Sequence, residues 1–157
     1  MRIDPSFQHS LRFYYRLALA ILIPLFSILT ACSGTSANQN AKMPAMSQMP
    51  EEVQKAPTTV REAYQFAVSN PDALKNVPCY CGCVAVGHTS NYSCYVKEMK
   101  PSGEVVFDQH ALGCSICVDI TQDVIHMTKD GKPPQEIRAA IDKTYAQYGP
   151  SNMAPAQ

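Results

Sequence analysis

The sequence predicts a mainly α fold: a small α or α+β domain with three main helices around a Cys-rich loop, at most one short strand pair, and a disordered N-terminal tether. Three observations carry this. Apolar residues recur at helical spacing over 58–69, 114–129 and 134–148. Residues 77–94 are dominated by Pro, Gly, Cys and polar side chains, which marks a loop. Residues 33–57 are Ser, Asn, Gln, Ala, Pro and Met without helical or strand period, too polar to offset chain entropy.

Residues 1–31 read as a leader. Arg2, Arg12 and Arg16 stand against the single acid Asp4, and an apolar run follows over 17–29. A basic start, an apolar run of about a dozen residues and small residues at the end describe a signal peptide. The run is short for a transmembrane helix, which needs about 20 apolar residues. Leu29-Thr30-Ala31-Cys32 resembles the lipobox of bacterial lipoproteins. That resemblance implies cleavage before Cys32 and lipid, palmitate included, on its thiol. The domain would then sit in the bacterial cell envelope, outside the cytoplasm. An uncleaved N-terminal anchor would leave the same domain outside the same membrane.

Residues 32–57 follow as a lipid-anchored flexible linker. Met43, Met46 and Met49 are spaced by three there. A polyproline-II segment would align their thioethers on one side, as a Cu(I) ligand set would require; a plain Met-containing linker is the simpler reading. A Cys-rich domain occupies 58–149. Its first helix runs over 58–69, with Thr59 and Glu62 as a capping box and Val60, Ala63, Tyr64, Ala67 and Val68 as the apolar stripe. Asn70-Pro71 ends it, and a short helical turn follows at 72–75. Residues 93–99 suggest another helical turn, and 104–107 a strand after the 101–103 turn. The helix over 114–129 carries Ile116, Val118, Ile120, Val124, Ile125 and Met127, with Gly131 as its C-cap. Pro133 and Pro134 open the last helix, whose stripe is Ile137, Ala140, Ile141, Thr144, Tyr145 and Tyr148. Residues 150–157 read as a frayed tail.

Charge excludes one class of partner. The chain holds 13 Lys/Arg and 13 Asp/Glu. Removing the leader's three Arg and Asp4 leaves 10 against 12. No basic field is present to attract nucleic acid. The absence of Trp implies a modest core, of the kind often held by a metal or by disulfides.

Seven cysteines are present, and six remain once Cys32 is set aside. They form Cys79-Tyr80-Cys81-Gly82-Cys83, then Cys94, then Cys114-Ser115-Ile116-Cys117, with His88 and His110 between the groups. An extended Cys-x-Cys-x-Cys run would point three sulfurs to one side. Cysteines two apart are poorly placed to pair with each other. The run therefore either bridges outward to Cys94, Cys114 and Cys117 or shares metal ions. The helix start at Cys114–Cys117 favours thiolate over thiol, which improves both ligation and redox reactivity. No His follows the pair as a c-type haem would need, and no βαβ context supports a thioredoxin motif.

Thiolates select Cu(I), zinc or iron–sulfur centres. Structural zinc normally takes four ligands in two spaced pairs, and grouped sulfurs exceed one such site. Bridging sulfurs suit a polynuclear Cu(I) centre. The candidate metal ligands are Cys79, Cys81, Cys83, Cys94, Cys114 and Cys117, with His88 and His110 secondary. Zinc, or no metal, are the alternatives. His126 is expected at the surface and Met127 in the core. Tyr80 and Tyr92 are expected to cover the cluster.

Pro78-Cys79-Tyr80-Cys81-Gly82-Cys83 resembles the family of bacterial lipoproteins named for a PCYCGC motif. The similarity continues through Gly87-His88, Asn91, Cys94, Asp108-Gln109-His110, Gly113-Cys114, Cys117 and Met127 to Gly131-Lys132 and Glu136-Ile137-Arg138. It covers roughly residues 60–148. The resemblance implies an exported, lipid-anchored domain, and its hint of copper handling agrees with the ligand argument.

No nucleophile–base pair, phosphate loop, paired carboxylates or His-Glu-x-x-His motif is found, which argues against a hydrolase or transferase. The leading expectation is a non-enzymatic, membrane-anchored binder of Cu(I) for storage, detoxification or delivery to a metal-transfer partner protein. A redox protein using Cys114 and Cys117 is the runner-up. A disulfide-stapled interaction domain is the third reading.

Overall fold

The computed structural model describes residues 44–155. The leader, Cys32, Met43 and the expected anchoring lie outside the described residues. Five α-helices are present among them: α1 Glu51–Lys55, α2 Thr58–Ser69, α3 Pro71–Lys75, α4 Ser115–Lys129 and α5 Pro134–Tyr145. One antiparallel pair, β1 Val96–Met99 and β2 Val105–Phe107, completes the regular structure with four short 3₁₀ turns. This is the mainly α fold with one strand pair that the sequence predicts.

The three main helices form where apolar spacing places them. In α2, Ala63, Tyr64, Phe66 and Ala67 are buried, with Val60 and Val68 packed at the margin. In α4 the buried face is Cys117, Val118, Ile120, Thr121, Val124 and Ile125. The α4 helix packs against both α2 and α5, so it is the central element. Tyr145 Oη donates to Asp123 Oδ2 at 2.8 Å, which ties α5 to α4. Tyr64 and Tyr95 meet edge-to-face at 5.0 Å, joining α2 to the start of the hairpin. As expected, His126 is exposed, and Met127 packs partly buried against the core.

Five local expectations are corrected. The stretch 44–57 is not tether. Residues Met46–Gln48 make a 3₁₀ turn, α1 follows, and Met49 and Val53 are buried in the core. Met46 and Met49 are thus core contacts and not an aligned thioether row. The α2 N-cap is Pro57, with no side-chain capping bond, so Thr59 and Glu62 form no capping box. Ala56 and Pro57, with extended ψ of 163° and 153°, separate α1 from α2, and Arg61 Nη1 donates to Ala56 O at 2.9 Å across that break. The 93–99 region is a 3₁₀ turn at Tyr92–Cys94 followed by β1. The β1 register pairs Val96 with Phe107 and Met99 with Val105, and this pairing overrides the weak helical signal. The last helix ends at Tyr145, so Tyr148 lies beyond it and is exposed, and Thr144, inside the helix, is exposed as well.

The tail is the fifth correction. Residues 150–155 lie docked on the loop that carries the Cys run. Asn152 N donates to Cys79 O at 3.1 Å, and Cys79 N donates to Asn152 Oδ1 at 2.7 Å. Arg138 Nη2 donates to Ala154 O at 2.8 Å and Arg138 Nη1 to Met153 Sδ at 3.7 Å. At Gly149 a Cβ would stand 2.9 Å from Tyr80 O, so only glycine lets the segment come this close.

Candidate metal centre

All six cysteines of the described region are free thiols. They arrive from three elements. Cys79, Cys81 and Cys83 sit on the loop after α3. Cys94 ends the 3₁₀ turn before β1. Cys114 is the N-cap of α4, and Cys117 lies in its first turn.

The Cys79–Cys83 run converges by a different route from the extended strand expected. Gly82 takes φ +81, and the chain turns there into a 3₁₀ turn over Cys83–Val86. That left-handed position suits glycine. The turn folds the three sulfurs back to within 4.8 Å of one another.

The sulfurs form one continuous nest. Cys117 Sγ is its hub, 3.1 Å from Cys114, 3.3 Å from Cys79, 3.5 Å from Cys94 and 3.6 Å from Cys81. Cys79 and Cys81 stand 3.3 Å apart. These separations approach the edge of a tetrahedron of sulfurs around one ion, about 3.8 Å for metal–sulfur bonds near 2.3 Å. His110 Nε2 lies 3.4 Å from Cys81 Sγ. His88 is buried beside it, the two rings meeting edge-to-face at 5.0 Å.

Four ligand groupings have donor atoms within 4.8 Å of one another: Cys81 with His110, Cys114 and Cys117; Cys83 with His88, Cys94 and His110; Cys79 with Cys94 and Cys117; and Cys79 with Cys81 and Cys83. Every one of the eight ligands expected from the sequence is therefore in the nest. The donor chemistry fits a soft metal.

The thiols differ in acidity. Cys79 is drawn down to about 2, chiefly by its hydrogen bonds with Cys117 and Cys94. Cys114 falls to about 5 through its hydrogen bond from Cys117, against an opposing effect of burial. Cys117 is pushed up by its hydrogen-bonding contacts with the sulfurs of Cys114, Cys79 and Cys94 and by its burial. Cys94 also bonds to Cys117, which lowers it, but its bond to Cys79 and its burial leave it raised. Burial raises Cys81 and Cys83, with Cys79 adding to both.

Several further residues position the ligands. Asp108 braces both histidines: its Oδ1 accepts from the His110 backbone N–H at 2.8 Å, and its Oδ2 lies 3.4 Å from the His88 imidazole Nε2. His88 Nδ1 is buried without a partner. An orphaned buried nitrogen is costly, and a metal ion would satisfy it. A carboxylate behind a ligand imidazole is the usual support of metal-bound histidine. Beneath the nest, Asn91 Nδ2 and Tyr95 Oη donate to Cys117 O at 3.2 and 2.8 Å, and Thr121 Oγ1 donates to Asn91 Oδ1 at 2.7 Å. All three side chains are fully buried and fix the start of α4. Asn152 Nδ2 reaches Cys83 Sγ at 3.6 Å and His88 O at 3.2 Å. Of these, Asn91 and Asp108 lie within the resembling segments, whereas Tyr95, Thr121 and Asn152 carried no signal.

The two tyrosines expected over the cluster have other contacts. Tyr80 is buried and donates from Oη to Asp142 Oδ1 at 2.7 Å. Tyr92 is half-buried under Lys75 Nζ, 5.2 Å from its ring centre.

A family model for proteins of unknown function with a PCYCGC motif matches residues 23–156. No curated protein matches the chain. No solved structure matches it. The match spans the whole sulfur nest and the segments that brace it, and the chain belongs to the PCYCGC-motif family.

Proposed function

We propose that this domain binds soft metal, with Cu(I) as its ion, and holds it for storage, detoxification or delivery to a partner protein. The observation that carries the reading is the convergence of six free sulfurs and two imidazoles into one nest. Thiolate and imidazole donors favour Cu(I) and zinc over harder ions. Between these two, sharing supports copper: each sulfur except Cys114 belongs to two ligand groupings, which suits a bridged Cu(I)–thiolate centre better than a closed four-ligand zinc site. Zinc is the alternative ion.

The place of action is the outer side of a bacterial membrane, with Cys32 carrying lipid. The leader and the Leu29-Thr30-Ala31-Cys32 segment support this. The partner is then an envelope protein that gives or receives copper. Cys32→Ser should abolish palmitate incorporation and release the chain from membranes.

The central test is anaerobic Cu(I) loading of reduced protein, followed by metal analysis. Several copper ions per chain are expected. Less than one removes the proposal, and tight zinc retention that copper cannot displace transfers it to zinc.

A second reading has one specific observation behind it. Cys114 is half-buried, acidic, and 3.1 Å from Cys117 at a helix start, which is how a reactive dithiol is arranged. Thiol–disulfide exchange with an insulin-type substrate would support it. A chain that reduces no disulfide leaves the metal reading alone.

A further inference from the structure

The eight ligands divide by exposure. The grouping Cys81, His110, Cys114 and Cys117 is half-buried at its first three members. The grouping Cys83, His88, Cys94 and His110 is buried at its first three. One faces the solvent side of the nest and the other faces inward. Cys79 belongs to neither four-residue grouping, yet its sulfur lies within 4.8 Å of two members of each: Cys81 and Cys117 in the outer, Cys83 and Cys94 in the inner. It has 0% exposure, so it cannot meet an ion arriving from outside. Its backbone N–H and C=O are both held by Asn152, which fixes it between the two groupings.

We propose that the nest is two metal sites in series, an outer one that receives Cu(I) and an inner one that retains it, with Cys79 handing the ion across. The inference rests on the soft-metal reading above. In the transfer, a Cu–Sγ bond to Cys79 forms as the bond to Cys81 or Cys117 breaks. Bonds to Cys83 and Cys94 then form as the bond to Cys79 breaks. Copper stays Cu(I) throughout, and no electron is exchanged. Protons shed by the inner thiols pass to the vacated outer thiolates or to water. The short gaps make exchange feasible without large motion, because Cys79 is 3.3 Å from both Cys81 and Cys117. His110 is common to both groupings. When it turns to the inner ion, the outer site keeps three sulfurs, a donor set that suits Cu(I).

The test uses reduced full-length protein loaded anaerobically with Cu(I) and mixed with excess bathocuproine disulfonate, with release followed by absorbance. Two phases are expected, differing in rate by about tenfold or more, the scale on which a supporting shell alters metal affinity. Cys114→Ser should remove the fast phase, and His88→Asn the slow one. Cys79→Ser should slow filling of the inner site by about tenfold or more, while the final copper content after long incubation stays within one ion of wild type. A merely structural loss would lower that final content at once. The exposed-side variant Cys114→Ser and the inner variant His88→Asn test the division even if Cys79→Ser does not fold. Uptake of several ions with release in a single phase, or variants that reduce both phases equally, overturns the serial arrangement and leaves the soft-metal reading standing. No uptake by wild-type protein overturns both.

Discussion

The helical body and the sulfur nest share residues of α4 but are held by different forces. The body is apolar: Tyr64, Ile120, Val124 and Ile141 are each no more than 1% exposed and interlock along helix faces. The nest is polar, and its shape is set by hydrogen bonds from residues distant in sequence. Asn152 reaches Cys79 across 73 positions, and Tyr95 reaches Cys117 across 22. Apolar burial scales with area and tolerates small shifts, whereas a donor must meet its acceptor in distance and angle. The two regions should therefore fail separately, one through stability and the other through ligation.

The largest separation should come from the body. Ile120→Ala deletes a fully buried side chain on the central helix and should cost about 2–5 kcal/mol. Chemical denaturation would measure it, while copper bound per folded chain stays unchanged. Cys117→Ser attacks the opposite region. Losing the hub sulfur should weaken Cu(I) affinity by about a hundredfold or more, since it removes a ligand and the neighbour that keeps Cys79 and Cys114 acidic. Competition with a Cu(I) chelator reads this, and unfolding of the metal-free form should change far less. Equal loss of stability and affinity in either variant would dissolve the distinction.

Asn152→Ala sharpens the comparison within the nest. It removes the bonds to Cys79 N, Cys83 Sγ and His88 O without touching a ligand. Copper release should quicken by about tenfold, with stoichiometry retained. Asn152→Asp should restore the acceptor for Cys79 N but not the donor to Cys83, and so fall between the two.

Acidity gives a smaller effect of definite sign. Cys114 is depressed to about 5, below an ordinary thiol near 8.5. Its folded-state stabilisation is complete above the unfolded value and is lost as pH falls through about 5. Alkylation of metal-free protein at Cys114 should follow the same course: appreciable at neutral pH and falling away as the thiolate is protonated near 5. A rate that keeps falling from pH 9 to 7 would show an ordinary thiol. At the bottom of the scale, Tyr148→Ala removes an exposed ring and should alter stability by no more than about 0.5 kcal/mol.

The same contrast explains what could be seen in the chain alone. The helices α2, α4 and α5 are legible because a helix face repeats its apolar residues within one element. Phe66 lies outside the apolar stripe that the spacing predicts for α2, yet it is buried and the helix spans the predicted 58–69. The short α1 has five residues, too few for a period, and its single buried side chain, Val53, is indistinguishable from a stray apolar residue in a linker. Among the ligands, cysteine is its own signal, and all six were identifiable, as were His88 and His110 from their nearness to them. Asn152 was not, because a Ser-Asn-Met segment near the C-terminus has the composition of a tail. Only the docking of Gly149 against Tyr80 places it over the loop.

That docked segment has a consequence for how the molecule is made. A polypeptide is synthesised, and threaded through any pore, from its N-terminus. Cys79 is clamped on both backbone groups by Asn152, a residue 73 positions further along the chain. A growing chain can form α2 and expose the whole Cys run long before the clamp exists. The clamp on Cys79 therefore closes only after the stretch through Asn152 has emerged, later than the Cys run it holds.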